Sequence, residues 1–380
     1  QEYGAIQAFY YQGLRPDDVD ERILQVLPRL YYSNFGQFHG VPGRFNYSFE
    51  QISLLREQGS ESQRLSFDGE WTVPFYGIYG QLLDVTAKLR ADGYYLNENP
   101  DPLNPGANDD GFEPRLQPVL AAKWRWPFVR QSRSGRSSQV IEPIVAAVAA
   151  PNEVNSDNIP NLDSQAFEFD ETNLFAINRF PGVDRISTGQ RVDYGVKFGH
   201  FSGGTSTTLF VGQSYQFEES DIYDVGSGLR DNRSDVVGKL QLSKADMYEA
   251  FYRFRVDEET GDFNRNEIGI NADIDPFDLS LDYIQIDNTQ ALSDVENRQE
   301  INVSLTTQLV DQWSFRVGTI RDLEQDASRR NAASLIYEDE CLRFGLNARR
   351  DFTDDGETEP STSFGIQIDL KHLGGTGFNQ

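Results

Sequence analysis

The stretch Glu300–Leu309, EINVSLTTQL, alternates polar and apolar or small side chains along its length. Successive side chains of a β-strand point to opposite faces of the sheet, so the alternation predicts a strand with one apolar and one polar face. A strand that crosses a bilayer at barrel tilt takes about 9–11 residues, whereas a strand of a soluble protein is usually about 5–6 residues long. The length of this stretch therefore favours a strand that crosses a membrane.

The same pattern recurs along the chain. In Gln190–Phe201, Val192, Tyr194 and Val196 share one parity, and charged or small residues share the other. Reading the whole sequence in this way predicts about eighteen strands. They span 3–12, 24–33, 45–55, 62–73, 79–91, 115–127, 138–148, 190–201, 205–214, 234–243, 247–256, 265–274, 277–286, 299–309, 312–320, 331–337, 341–349 and 362–370.

The connections between the predicted strands alternate between short and long in the C-terminal half. Short turns are expected at 202–204, 243–246, 275–276, 310–311 and 338–340, and long loops at 215–233, 257–264, 287–298, 321–330 and 351–361. Short turns on one rim and long loops on the other are typical of outer-membrane barrels. The sequence thus predicts an all-β, transmembrane antiparallel β-barrel as a single domain over residues 1–380.

Composition limits the possible partners. The 380 residues carry 60 acidic and 34 basic side chains, a formal net charge of −26, which disfavours binding to nucleic acid phosphates. Aromatic residues make up 12% of the chain, which is more than an acidic disordered chain contains. No run of about 18 apolar residues predicts a membrane-spanning helix. The composition therefore favours a folded globular or barrel protein that does not bind nucleic acid.

Charge follows the predicted rims. Acidic residues concentrate in the long loops, where they either hold divalent cations loosely between anionic lipids or serve solubility alone. By contrast Val129–Ser138, VRQSRSGRSS, is basic and falls on the short-turn rim, where a solvated turn is favoured over a periplasmic contact. The acidic loop residues are Glu218, Glu219, Asp221, Asp224, Asp257, Glu258, Glu259, Asp262, Asp354, Asp355, Glu357 and Glu359.

Candidate catalytic chemistry is sparse. His39, His200 and His372 lie far apart, and the chain contains neither a GxSxG nor an HExxH motif. Carboxylate pairs such as Asp109–Asp110 and Asp354–Asp355 are too common in this sequence to indicate glycosidase chemistry. We therefore expect no enzymatic activity, no resident metal and no cofactor.

The single cysteine, Cys341, follows the predicted turn Glu338–Glu340. In an oxidising envelope compartment a lone cysteine suggests a disulfide to a cysteine outside this chain. The alternative is a small side chain at the start of a strand, with no redox role. The residues alone do not choose between the two.

Three segments carry a resemblance to a known family. Val140–Ile144 (VIEPI), Asn173–Ile186 (NLFAINRFPGVDRI) and Tyr337–Cys341 (YEDEC) together resemble the LPS-assembly outer-membrane protein family, LptD. The resemblance implies a fragment of a barrel of about 26 strands, whose periplasmic jelly roll and first strands lie outside this chain. The proline-kinked gate of the family involves those first strands, so Pro28 is not assigned that role.

The resemblance also assigns residues. Cys341 matches the C-terminal cysteine position that pairs in the family with a cysteine near the N-terminus, although members often have two adjacent cysteines where this chain has Glu340 and Cys341. The last strand resembles the C-terminal signal read by the barrel-assembly machinery, with Ile368 where an aromatic residue is usual. The signal residues are Ser363, Gly365, Ile368 and Leu370.

The function that the resemblance implies is insertion of lipopolysaccharide at the outer leaflet of the outer membrane. A wide barrel would pass the glycan through water, while the acyl chains leave between the first and last strands. The implied partners are lipopolysaccharide, the plug lipoprotein LptE, a periplasmic bridge protein that docks on the jelly roll, and the barrel-assembly machinery. The alternatives are a general or substrate-specific porin and a secreted all-β binding or carbohydrate-active domain.

The longest connection, 149–189, holds the most specific motif and differs from a free acidic loop because it mixes aromatic and charged residues. We expect it to fold back into the barrel mouth or lumen, with Asp184 paired to Arg185 or Arg179. The motif residues are Phe175, Asn178, Arg179, Gly182, Asp184 and Arg185.

Overall fold

The structure is a computed structural model that describes residues 1–13, 18–38, 40–98, 108, 110–164, 168–245, 247–287, 297–354 and 359–371. Within these ranges it contains nineteen antiparallel strands and one short 3-10 helix, Asp20–Arg22. Across the described ranges, no helix is long and apolar enough to span a membrane. The strands are β1 (Glu2–Phe9), β2 (Gln25–Gly36), β3 (Arg44–Leu55), β4 (Glu61–Tyr76), β5 (Leu82–Asn97), β6 (Gly111–Arg125), β7 (Phe128–Gln131), β8 (Ser137–Ala149), β9 (Gln190–Ser202), β10 (Thr205–Gln216), β11 (Val236–Lys244), β12 (Tyr248–Val256), β13 (Phe263–Ile274), β14 (Phe277–Ile286), β15 (Arg298–Val310), β16 (Trp313–Asp322), β17 (Ala327–Glu338), β18 (Leu342–Asp351) and β19 (Ser361–Leu370).

The chain divides into two compact units. The first unit comprises residues 1–128, 142–196 and 212–235, and in it β1 to β6 pair in sequence order and β8 pairs with β6. The second unit comprises residues 129–141, 197–211 and 236–380, and in it β11 to β19 pair in sequence order. Sequential antiparallel pairing with no crossover is the up-and-down arrangement of outer-membrane barrels.

Burial is inverted relative to a soluble sheet. On β6 the apolar side chains Phe112, Leu116 and Leu120 are 67%, 60% and 64% exposed. On β4 and β6, in contrast, Arg64 and Arg115 are each only 4% exposed, although neighbouring apolar side chains such as Leu65 and Leu116 lie open. Water does not favour an apolar outer face of this extent, but the hydrocarbon core of a membrane does. The expected fold class, an all-β transmembrane barrel, is confirmed.

The core of the first unit lies between its long connections and the polar face of its strands. Ile159, Phe169, Leu174 and Ile186 of the connection 150–189 are almost completely buried. Ile159 packs in a cluster with Tyr94 and Leu96 of β5. The apolar residues of this connection thus form a core on the side of the strands that carries their charges.

The predicted strands agree with the observed ones within about four residues, except that β5 ends at Asn97 where the prediction ended at 91. There are two further differences. The prediction missed β7, a four-residue strand at the start of the basic segment Val129–Ser138. The connection expected to be long at 321–330 is a turn at 323–326, because β16 and β17 extend further than predicted. Asp322 stabilises this turn by accepting hydrogen bonds from the backbone N–H groups of Glu324 and Gln325.

Candidate functional site

Arg64 of β4 holds the connection 150–189 against the polar face of the first unit. Its guanidinium contacts the carboxylate of Asp184 at 2.6 Å, that of Asp163 at 2.8 Å and that of Glu50 at 3.1 Å. Its side chain and that of Asp184 are 5% and 4% exposed. A buried charge is tolerated only when it is paired and hydrogen-bonded, so these contacts depend on one another.

Tyr94 and Arg115 extend this cluster to β5 and β6. The Tyr94 hydroxyl donates to Asp184 Oδ1 at 3.2 Å, and Arg115 Nη2 donates to the Tyr94 oxygen at 3.0 Å. Arg115 also donates to the backbone carbonyls of Val183 and Asp184, at 2.6 and 2.7 Å, and forms an ion pair with Asp92. Three neighbouring strands therefore bind the same short segment of the connection.

The segment around Asp184 is bound within the connection as well. Its Oδ2 accepts hydrogen bonds from the backbone N–H groups of Leu162 and Asp163, at 2.8 and 3.2 Å. Asp163 Oδ1 in turn accepts from the N–H groups of Val183 and Asp184, each at 2.9 Å. Burial opposes the charge of Asp163, but Arg64 and these N–H donors outweigh it and lower the pKa of Asp163 to about 2.

Gly182 permits this close approach. A Cβ atom at this position would lie 2.3 Å from the backbone oxygen of Asp163 and 2.4 Å from the hydroxyl of Ser164. Real Cβ atoms do not approach other atoms so closely, so any side chain here would push the two halves of the connection apart. The glycine of the motif is therefore explained by packing.

A second buried cluster lies at the base of the connection. Arg179 Nη2 contacts Asp193 of β9 at 2.6 Å and the hydroxyl of Ser214 of β10 at 2.9 Å. Arg191 forms an ion pair with the other oxygen of Asp193 at 3.2 Å, and its Nη2 donates to the backbone carbonyls of Ala176 and Ile177. Asp193 is fully buried and bridges two arginines, one from the connection and one from the strand.

The remaining motif residues shape the connection. Asn178 accepts a hydrogen bond from the N–H of Ser187, and Arg185 donates to the carbonyls of Ile159 and Ser156. The ammonium of Lys123, on β6, lies 4.7 Å from the centre of the Phe175 ring. The ring of Phe180 stacks on Tyr223 of the loop 217–235, with ring centres 5.2 Å apart. We call residues 150–164 and 168–189 the cap.

The ion pairs of the cap differ from the expected one. Asp184 pairs with Arg64 and Arg179 pairs with Asp193, so neither Arg179 nor Arg185 is the partner of Asp184. The strands supply the opposite charges because their polar face lies directly beneath the cap. The prediction missed Arg64, Tyr94 and Arg115. Arg64 and Arg115 lie on the polar parity of predicted strands, which was a usable signal, whereas Tyr94 lies beyond the predicted end of its strand at residue 91.

The predicted C-terminal residues lie in the second unit. Cys341 is a free and exposed thiol in the turn between β17 and β18, and its backbone N–H donates to Asp339 Oδ1. Ser363, Gly365, Ile368 and Leu370 of β19 pair in register with Arg349, Asn347, Phe344 and Leu342 of β18. The structure thus brings together the cap residues of the motif, and it places Cys341 and the β19 residues in the second unit.

The histidines and acidic loops show no metal-binding arrangement in the parts of the chain that are described. No group of three or more His, Cys, Asp or Glu side chains there is placed to hold a metal ion. His200 lies in β9, while His39, His372, Asp109, Asp355 and Glu357 lie outside the described residues. Loose binding of divalent cations by the acidic loops stays a prediction.

Comparisons with known proteins agree with the sequence motif. A family model described as LptD, LPS transport system D, matches residues 2–313. The LPS-assembly protein LptD of Aeromonas salmonicida (strain A449) is 26% identical over 335 residues, covering 80% of this chain and 41% of that protein. The LPS-assembly protein LptD of Marinobacter nauticus is 26% identical over 404 residues, covering 99% of this chain and 48% of that protein. The chain thus spans less than half the length of these two relatives.

Solved structures resemble the chain more distantly. A mutant of the ferric enterobactin receptor PfeA from Pseudomonas aeruginosa, in complex with enterobactin, matches with a TM-score of 0.43 and 11% identity. The match covers 90% of this chain and 62% of that one. A likeness of this size carries no argument about function.

Proposed function

Because the chain belongs to the LptD family, the LPS transport system D family, we propose that it forms barrel strands of a protein that inserts lipopolysaccharide into the outer leaflet of the outer membrane. The observation that carries the proposal is that the strands bury charged side chains and expose apolar ones. Charged residues such as Arg64 and Arg115 are buried, and their apolar neighbours Leu65 and Leu116 on the same strands are exposed. A polar face suits a hydrated glycan, and an apolar face suits the membrane.

The mechanism follows from the two chemistries of the substrate. Lipopolysaccharide joins several acyl chains to a large charged glycan, so no single uniform environment suits the whole molecule. The polar faces of the strands would pass the glycan through water, and the acyl chains would leave sideways between the first and last strands of the barrel. On this proposal the exposed apolar side chains of β19 face lipid.

The cap lies on the polar face that the glycan would pass, so it would close this path. Arg64, Tyr94 and Arg115 hold the cap against the polar face of β4 to β6. A glycan that passes along this face must displace the cap or move around it. We infer that the cap is the internal lid of the translocon, and that the clusters around Asp184 and Asp193 set the free energy of its opening.

The partners follow from the same proposal. The polar faces would contact the plug lipoprotein LptE, and a jelly roll domain would receive lipopolysaccharide from a periplasmic bridge protein. Cys341 would form its disulfide with a cysteine near the N-terminus of the full-length protein, and β19 would be recognised by the barrel-assembly machinery through Ser363, Gly365, Ile368 and Leu370. No bond of the substrate is made or broken, so none of these residues is assigned a catalytic role.

Depletion of the full-length protein in its own bacterium tests the proposal. We expect lipopolysaccharide to disappear from the cell surface, measured with an antibody to the glycan on intact cells, while total lipopolysaccharide in lysed cells persists. A porin would give a different result, because its depletion would slow uptake of small solutes and leave surface lipopolysaccharide unchanged. That second result would contradict the proposal and support a porin instead.

A further inference from the structure

Two segments of the second unit depart from the acidity of the rest of the chain. Residues 129–141 and 197–211 contain no Asp or Glu, although the chain has 60 acidic residues among 380. They carry Arg130, Arg133, Arg136 and Lys197 instead. A local absence of negative charge in so acidic a chain makes this patch the natural contact for an anion.

The two segments meet at a cleft of about 450 Å³. The hairpin between β7 and β8 forms one wall and the turn between β9 and β10 the other. The volume lies within the roughly 300–1,000 Å³ of small-molecule sites. None of the described residues that line the cleft is acidic, and its polar side chains include Arg136, Ser137, Ser138, Ser202, Thr205 and Ser206.

The hairpin that carries the arginines is a closed turn. The N–H of Gly135 donates to the carbonyl of Ser132 at 2.9 Å, and the N–H of Ser132 donates to the carbonyl of Ser137 at 2.9 Å. These bonds fix the backbone on both sides of Arg133 and place Arg136 at the wall of the cleft. No ion pair formed by the described residues includes Arg130, Arg133 or Arg136, whereas Arg125 nearby in sequence contacts Glu142.

This set of donors fits a phosphate monoester. Guanidinium groups form charge-assisted, often bidentate hydrogen bonds with phosphate oxygens. The serine and threonine hydroxyls of the cleft donate to phosphate oxygens, and they also donate to and accept from the hydroxyl groups of a sugar. A carboxylate would use fewer of these donors, and an apolar ligand would use none.

We propose that this cleft binds the phosphorylated sugar headgroup of a glycolipid, with Arg136 on the phosphate, Arg130 and Arg133 adding positive charge, and the hydroxyl side chains on the sugar. The cleft lies at two short turns of the second unit. The identification of the glycolipid with lipopolysaccharide rests on the proposed function. The binding of a sugar phosphate does not, because a purified protein and a soluble probe involve no transport.

Calorimetric titration of the full-length protein in detergent tests the site with glucosamine 1-phosphate, inorganic phosphate and neutral glucosamine. We expect saturable binding of glucosamine 1-phosphate, at least fivefold weaker binding of inorganic phosphate, and no binding of glucosamine. The triple variant R130Q/R133Q/R136Q should raise the Kd for glucosamine 1-phosphate at least tenfold. Raising the salt from 50 to 500 mM should weaken binding by the wild-type protein and have less effect on the variant.

A matched control is the variant R321Q/R330Q/R349Q, which changes the net charge equally but alters arginines that pair with Asp326 and Asp351. It should bind glucosamine 1-phosphate as the wild type does. Equal loss in both triple variants, or no saturable binding in the wild type, would overturn the site. Equal affinity for the two phosphates would overturn the assignment to a glycolipid. If the cleft binds as expected but depletion leaves surface lipopolysaccharide unchanged, the proposed function fails alone.

Discussion

Arg64 Nη1 lies 2.6 Å from Asp184 Oδ1, although the two residues are 120 positions apart in the sequence. This contact joins a strand to the most specific motif of the chain. Both side chains are buried, so neither charge has water as an alternative partner. The cap therefore depends on a pair whose members are costly to separate, and this pair is the first target for mutation.

Arg64→Gln removes the positive charge shared by Asp184, Asp163 and Glu50. Breaking a buried ion pair by removing one partner costs about 3–5 kcal/mol because the remaining charge stays buried. We expect lower stability and cleavage of the cap by trypsin or proteinase K, measured by urea unfolding and limited proteolysis of the full-length protein in detergent.

The matched control for Arg64→Gln is Arg330→Gln, which removes a partly exposed partner of Asp351. An exposed pair contributes about 0–1 kcal/mol. If the two variants unfold at the same urea concentration and the cap stays resistant to protease in both, Arg64 does not hold the cap.

Asp193→Asn tests the second cluster. The carboxylate of Asp193 contacts both Arg179 and Arg191, so its neutralisation leaves two buried arginines without this partner. The expected loss of stability is again about 3–5 kcal/mol. The measurement is the temperature of sample heating at which the folded band disappears from a gel, with an unheated sample as the reference. We expect this temperature to be lower for Asp193→Asn than for the wild type.

Asp326→Asn is the comparison for Asp193→Asn, because Asp326 is 85% exposed in its pair with Arg321. We expect its unfolding temperature to remain near that of the wild type. A fall of equal size in both variants would contradict the assignment of Asp193 as the bridge between cap and strands.

The strands were predictable because the alternation of polar and apolar residues is visible within each strand. Alternation along Glu300–Leu309 is a local property, and β15 appears close to where it indicates. The partner of Asp184 is a non-local property, because Arg64 reaches it only after β4, β5, β6 and the cap have packed together. The sequence holds many Asp and Arg residues, so spacing alone favoured the nearby Arg179 and Arg185 over the distant Arg64.

Gly182→Ala should loosen the cap without changing any charge. The added Cβ would lie 2.3 Å from the backbone oxygen of Asp163, so the segments of the cap around Asp163 and Gly182 must separate. Overpacking of this kind costs about 1–3 kcal/mol. Hydrogen exchange of the amides of residues 182–187 should be faster than in the wild type.

The control is Gly345→Ala, where the nearest heavy atom to the added Cβ is 3.6 Å away, an ordinary contact. Exchange of the cap amides should not change in this variant. Unchanged exchange in Gly182→Ala as well would show that the cap accommodates the methyl group.

The low pKa of Asp163 predicts how the cap responds to acid. Its pKa is about 2 in the folded protein and near 3.8 when the carboxyl is free. A folded pKa below the unfolded one means that the ionised form stabilises the fold at pH values above about 4. This contribution is lost as the pH falls from about 4 towards 2.

The difference in unfolding midpoint between the wild type and Asp163→Asn cancels the titration of carboxylates that lie away from Asp163. It should be constant between pH 5 and pH 7 and should shrink between pH 4 and pH 2. A difference that shrinks near pH 6, or that grows on acidification, would contradict a role for ionised Asp163 in holding the cap.

The two faces of β19 should respond oppositely to the same new charge. Ile366 is 71% exposed on the apolar face and pairs in register with Leu346, while Gln367 points to the other face and pairs with Gly345. Ile366→Lys would place an ammonium group among lipid tails, which costs about 2–4 kcal/mol near the bilayer midplane. Gln367→Lys would place it on the polar face at little cost.

We expect Ile366→Lys to reduce the folded fraction in phospholipid vesicles, measured from the mobility of unheated samples, and Gln367→Lys to leave it near the wild-type value. Equal folding of the two variants would mean that the exposed face of β19 does not contact lipid.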